Sequence, residues 1–132
     1  MRGKQIALVI TGIIVGIVAL CVLLAIFVGV PVMKNMKYNN AIHNAEAGNY
    51  TVAINELNGI NGYKDVPVKK QEYAIEAAKQ CIEDDDTVNA LSLLNYAISI
   101  DADSELTKEA KTLFDKIHKT LLKQLFLRGC CL

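Results

Sequence analysis

Apolar positions fall into two regimes along this chain. From Ile6 to Val30, IALVITGIIVGIVALCVLLAIFVGV, no charged residue interrupts the run. Beyond Pro31 the apolar residues recur at helical spacing instead. Tyr38, Ala41, Ile42 and Ala45 share one face, as do Val52, Ala53, Leu57 and Ile60. Tyr73, Ala74, Ala77, Ala78 and Cys81 form a third stripe, and Leu91, Leu94, Ala97 and Ile98 a fourth. A last, long segment carries Leu106, Ala110, Leu113, Ile117, Leu121 and Leu125. Alternation at period two never persists, so the pattern predicts an all-α chain: one apolar helix, then five amphipathic ones.

The apolar run predicts a transmembrane helix. A bilayer core takes about 20 apolar residues in a helix, because lipid offers no partner to an unpaired backbone amide. A buried soluble helix of that length needs apolar neighbours on every side, which the rest of the chain cannot supply. Arg2 and Lys4 make a basic start, yet the run is too long for a secretory signal, and GVPVMK after it is a poor cleavage site. MRG before a long apolar helix also resembles the leader of pilin-like proteins, but Leu8 stands where bacterial pilins carry an acidic residue. Pro31 lacks an amide proton and is expected to end or kink the helix. The expected organisation is a basic tail at 1–5, a membrane helix at 6–32, a helical domain at 33–128 and a tail at 129–132.

Basic residues flank the span almost evenly, Arg2 and Lys4 against Lys34 and Lys37, so charge bias hardly sets the orientation. A short amino-terminal tail is easily left in the cytoplasm, which places the larger part outside. Cys81, Cys130 and Cys131 lean the other way, because an odd number of cysteines completes no disulfide framework. Gly12 and Gly16 form a small-xxx-small pair that would let two membrane helices approach closely; glycine is also simply common in such helices.

Two later segments repeat. AGNYTVAINELNGI, Ala47 to Ile60, aligns with DDDTVNALSLLNYAI, Asp84 to Ile98, so that Ala53 matches Ala90, Leu57 matches Leu94 and Ile60 matches Ala97. Ala41 similarly matches Ala78. The offset is near the 34 residues of a tetratricopeptide unit, with a few extra in the connection. GNYTVAI is similar to the turn between that family's paired helices, and AISIDA to its usual ending, with Ala102 where proline normally stands. GYKDV, Gly62 to Val66, is similar to a linker of divergent bacterial members in which a tyrosine packs between units. From about Met36 to Leu125 the chain thus resembles the tetratricopeptide repeat family, departing from it at Lys37, Asn40 and Asn44, where larger apolar groups are usual.

The resemblance implies a short α-solenoid of two helix pairs and a capping helix. It also implies a groove for a peptide or partner segment, lined by the first helix of each pair. Carried onto this chain, the groove positions are Tyr38, Ile42 and Ala45, then Glu72, Ile75, Lys79 and Ile82. The stacking has a physical cause: one pair cannot bury its own apolar face, and Ala53 and Ala90 are small where helices cross closely.

Local signals set the helix ends. Asn49 is expected to cap the second amphipathic helix, with Gly48 in left-handed geometry before it. Asp86 or Thr87 caps the fourth, and Asp103 or Ser104 the fifth. EDDD and DADSE therefore need no ligand to explain them.

Composition narrows the function classes. Of 132 residues, 52% are hydrophobic, a share inflated by the membrane segment, and 14 Lys and Arg balance 14 Asp and Glu. Arg2 and Lys4 precede the anchor and every acidic residue follows it, so the soluble part carries two more acidic than basic residues. That argues against nucleic acid, whose binding needs a positive surface. His43 and His118 lack metal-site spacing, DDDTVN breaks the calcium-loop pattern at Val88, and no nucleophile motif occurs. No catalysis, metal or cofactor is expected.

The last segment, LFDKIHKTLLKQLFLRGCCL from Leu113, is amphipathic and then almost wholly apolar between Lys116, Lys119, Lys123 and Arg128. It reads either as a plain capping helix or as a surface for a membrane or partner helix. Cys130 and Cys131 suit acylation, but Gly129 stands where a prenylation box needs cysteine. Taken together, the residues describe a membrane-anchored binding or scaffolding module whose partners are the bilayer and a protein segment. Self-association would run through the membrane helix or the last helix. Alternatives are a pilin-like filament subunit and an accessory subunit of a membrane complex.

Overall fold

The structure is a computed structural model and describes residues 1–129. The tail with Cys130 and Cys131 lies outside the described residues. Helix α1 spans Arg2–Leu24 and passes through a wide π turn at Ala25–Gly29 into α2, Val30–Glu46. Four more helices follow: α3 (Tyr50–Asn58), α4 (Val66–Glu83), α5 (Thr87–Ile100) and α6 (Ser104–Gly129). No strand occurs among the described residues. The chain divides into two units, one from Met1 to Met36 and one starting at Lys37. The boundary expected at 32/33 falls inside α2.

In the first unit, every residue of α1 is exposed. At 1.5 Å per residue its 23 residues reach about 35 Å, and the continuous helix Arg2–Glu46 that it opens has a most apolar window of mean hydropathy 3.2. It is long and apolar enough to cross a membrane. Its one hydroxyl is satisfied within the helix, Thr11 Oγ1 donating to the Ala7 carbonyl at 2.8 Å. Pro31 does not end the helix: it is the second residue of α2. Its ring crowds the carbonyl four residues back, at Phe27, and the π turn covering that residue loosens the ladder where the amide is missing.

In the second unit, α4 is the central element and packs against α3, α5 and α6. Asp65 stands at its N-cap position and Pro67 in its first turn, where a missing amide leaves no bond unmade. Val66, Tyr73, Ala74, Ile75, Ala77 and Ala78 are buried along it. Alanine is the commonest buried residue, which lets helices approach closely. Leu57 of α3 and Leu94 of α5 are the large, wholly buried anchors, each contributing about 1.5–3 kcal/mol of burial. Ala53 and Ala90, and Ala41 and Ala78, are likewise fully buried at matching positions. Val52 and Leu125, expected on the inner faces, are exposed.

The two turns that close α2 and α4 share one hydrogen-bond pattern. At the first, Gly48 adopts φ +79°, its amide donates to Ala45 O (2.9 Å), and Asn49 N donates to Asn44 O (2.8 Å). At the second, Asp85 adopts φ 59°, its amide donates to Ile82 O (3.2 Å), and Asp86 N donates to Cys81 O (2.8 Å). Both satisfy the last carbonyls of a helix through a left-handed residue, glycine in one and aspartate in the other. Asn49 occupies the N-cap position of α3, but its side chain makes no capping bond. Asp86 does cap α5, accepting from Asn89 N at 3.3 Å, and Asp103 caps α6, accepting from Glu105 N and Leu106 N.

Candidate functional site

The last turns of α2 and the first half of α4 enclose a surface recess of about 390 Å³. Ile42 and Ala45 come from α2, Tyr50 from the first residue of α3, and Lys69, Glu72, Tyr73 and Glu76 from α4. Residues 69, 72, 73 and 76 stand at i, i+3, i+4 and i+7, so one helix face supplies them all. The Tyr50 and Tyr73 rings lie 6.1 Å apart and, with Ile42, make an apolar floor. Glu46, Glu72 and Glu76 edge it with negative charge.

Local pairing divides that charge. Lys69 Nζ sits 2.8 Å from Glu72 Oε2 and 5.9 Å from the Tyr73 centroid. The Glu72 bond holds the Lys69 ammonium above its ordinary pKa. Lys79 Nζ meets Glu76 at 2.7 Å and Glu109 of α6 at 2.9 Å, which ties α4 to α6 and raises the Lys79 pKa, chiefly through Glu76. With three carboxylates against Lys69, the lining is acidic over an aromatic floor. Such a surface suits an apolar side chain flanked by a cation.

Of the expected groove residues, Ile42, Ala45 and Glu72 come together here. Tyr38 does not: its hydroxyl donates to Asp65 Oδ1 at 2.5 Å, and its ring meets Tyr63 edge-on at 5.9 Å. The Lys64 ammonium stands 4.5 Å from the Tyr38 centroid. The bond to Asp65 above all pushes the Tyr38 pKa up to about 12. This corner clamps α2 to the turn before α4.

Ile75 is corrected: only 1% exposed, it belongs to the core and faces no groove, and Glu76 takes the surface position beside it. Ile82 lines a second recess of about 240 Å³, with Asp85 and Thr87 opposite Leu113, Ile117 and Leu121 of α6. Gly12 and Gly16 have open space around them, with nothing within 4 Å of an added Cβ.

Sequence reasoning missed Tyr50, Lys69, Tyr73 and Glu76. The signal was there in the polar stripe Lys69, Glu72, Glu76 and Lys79, whose spacing marks the outer edge of α4. Among the described residues no group of three or more His, Cys, Asp or Glu side chains could hold a metal ion. Cys81 is partly buried, and burial first, then Asp86 and Asp84, pushes its thiol pKa up, away from the nucleophilic thiolate. No family model, curated protein or solved structure matches this chain.

Proposed function

We propose that this chain is a single-pass membrane protein whose helical part is a short tetratricopeptide-like stack that binds a segment of a partner protein. The observation that carries the reading is the recess between α2 and α4, the first helices of two successive hairpins. The matched turns at Gly48 and Asp85, and the paired burial of Ala53 with Ala90 and Leu57 with Leu94, support the repeat. The exposed apolar surface of α1 supports a membrane anchor, since water solvates such a surface poorly. The anchor holds the binding surface near the bilayer, and the larger part lies outside the cytoplasm.

The partner segment presents an apolar residue to Tyr50, Tyr73 and Ile42 and a Lys or Arg to the carboxylates. Reversing the rim with Glu72→Lys and Glu76→Lys tests this. In full-length protein purified from native membranes in mild detergent, the variant should lose co-purifying partner at least about tenfold, because like charges then face each other. Undiminished co-purification, with helix content intact, rejects the recess as the binding surface.

A further inference from the structure

The second half of α6 leaves the core. Ala110 is fully buried, and Leu113, Phe114 and Ile117 pack partly against the core. From Leu122 onward every described residue is exposed. Leu122, Leu125 and Phe126 stand at i, i+3 and i+4, with Leu121 one turn before Leu125, so they form one continuous apolar arc. Phe126 is 75% exposed. Lys119 and Lys123 edge that arc on one side and Arg128 on the other, while Thr120, Gln124 and Leu127 lie on the far side. Between Lys116 and Gly129 there is no Asp or Glu, although the whole chain balances 14 Lys and Arg against 14 Asp and Glu.

We infer that the end of α6, from Lys119 to Gly129, lies along the headgroup region of an anionic bilayer. The inference rests on the reading that α1 spans that membrane. Two features choose the occupant. The cations border the apolar arc, where they can reach phosphates while the leucines and Phe126 enter the acyl boundary. The anchor in the same chain also keeps the strip near lipid at high effective concentration, so a weakly binding helix stays docked. A second copy fits worse, since symmetric pairing would set Lys119 and Lys123 against their own kind.

The chain has no tryptophan, so Phe126→Trp introduces a single reporter at an exposed position. The full-length variant is reconstituted into vesicles of phosphatidylcholine, with or without phosphatidylglycerol, containing lipids brominated on their acyl chains. In anionic vesicles the emission should move to shorter wavelength and lose about half its intensity to the bromines, as burial at the acyl boundary requires. Neutral vesicles, or Lys119→Glu with Lys123→Glu, should restore unquenched, water-like emission. Water-like emission throughout overturns the inference. So does equal quenching in both vesicle types, or an unquenched blue shift that fades on dilution, the mark of a second copy. Alkaline carbonate extraction of the same vesicles reports on α1 separately: protein retained there without quenching rejects the strip and keeps the anchor.

Discussion

Gln71 of α4 and Thr107 of α6 meet inside the core, Nε2 to Oγ1, across 2.7 Å. The same amide accepts from Ala102 N (3.1 Å) and Asp103 N (2.9 Å) through Oε1, and Nε2 reaches Asp103 O at 3.3 Å. Thr107 in turn lies 2.8 Å from both Asp101 Oδ1 and Asp103 O, either of which can take its one proton. One wholly buried glutamine therefore satisfies the turn between α5 and α6 and holds it on α4. A buried amide is favourable only when it is paired in this way.

Gln71→Leu leaves the part-buried amides of Ala102 and Asp103 without their acceptor and should cost about 2–3 kcal/mol. For a domain of this size that lowers the thermal midpoint on the order of 10–20 °C. Thr107→Val should cost about 1 kcal/mol, and the double variant less than the sum, since the two side chains share a bond. Circular-dichroism melts in detergent measure all three; strict additivity would contradict the network.

Ala90 is wholly buried in α5, while Val88, one turn-edge away, is 77% exposed. Ala90→Phe should destabilise the helical part by at least about 3 kcal/mol, because a closely packed helix crossing has no room for a ring. Val88→Phe should leave the melt unchanged. Equal melts for the two variants would contradict the packing of α5.

Asp85 holds a left-handed backbone that costs a residue with a Cβ about 1–2 kcal/mol. Glycine occupies the equivalent turn position at Gly48. Asp85→Gly should relieve that strain, and after the extra chain entropy of glycine it should stabilise by about 0.5–1 kcal/mol. A midpoint that falls would show that the aspartate contributes something the turn geometry does not require.

Tyr38 keeps its proton because Asp65 accepts it. Its pKa is about 12 in the folded chain against 10.0 for a free tyrosine, so the folded state holds the proton more tightly. The stabilisation is fully present below pH 10 and is lost as pH rises through about 12. Absorbance titration of tyrosinate should show the latest-ionising phase, and Tyr38→Phe should remove it. Asp65→Asn should bring that phase down. Identical curves above about pH 11 for all three proteins would contradict the clamp.

Much of the helical part could be read from spacing alone. Ala53, Leu57, Ala90, Leu94 and Ala97 recur at helical period, and each is wholly buried. The caps at Asp86 and Asp103 were legible to within one residue, with Thr87 and Ser104 as the alternatives, because a short polar residue before an apolar stripe marks a helix start. What escaped needed a second element to decide it. Ile75 and Glu76 are neighbours on one helix, and only the approach of the other helices buries one and leaves the other at the rim. Gln71 carried no signal in the sequence, since nothing local shows that a turn about 31 residues later will bond it. Pro31 read as an end or a kink because the compensating wide turn at Ala25–Gly29 has no sequence signature. The recess was partly legible through Ile42, Ala45 and Glu72, but its aromatic floor depends on Tyr50 and Tyr73 meeting from different helices.

Site-specific photo-cross-linking in native membranes tests the binding surface most directly. A photoreactive residue at Ile42, on the recess, should give a discrete adduct with one partner, and Glu72→Lys with Glu76→Lys should abolish it. The same probe at Asn95, on an exposed face of α5, should not give that adduct. Identical adducts from Ile42 and Asn95, or none from Ile42 in membranes that retain the full-length chain, would contradict the account.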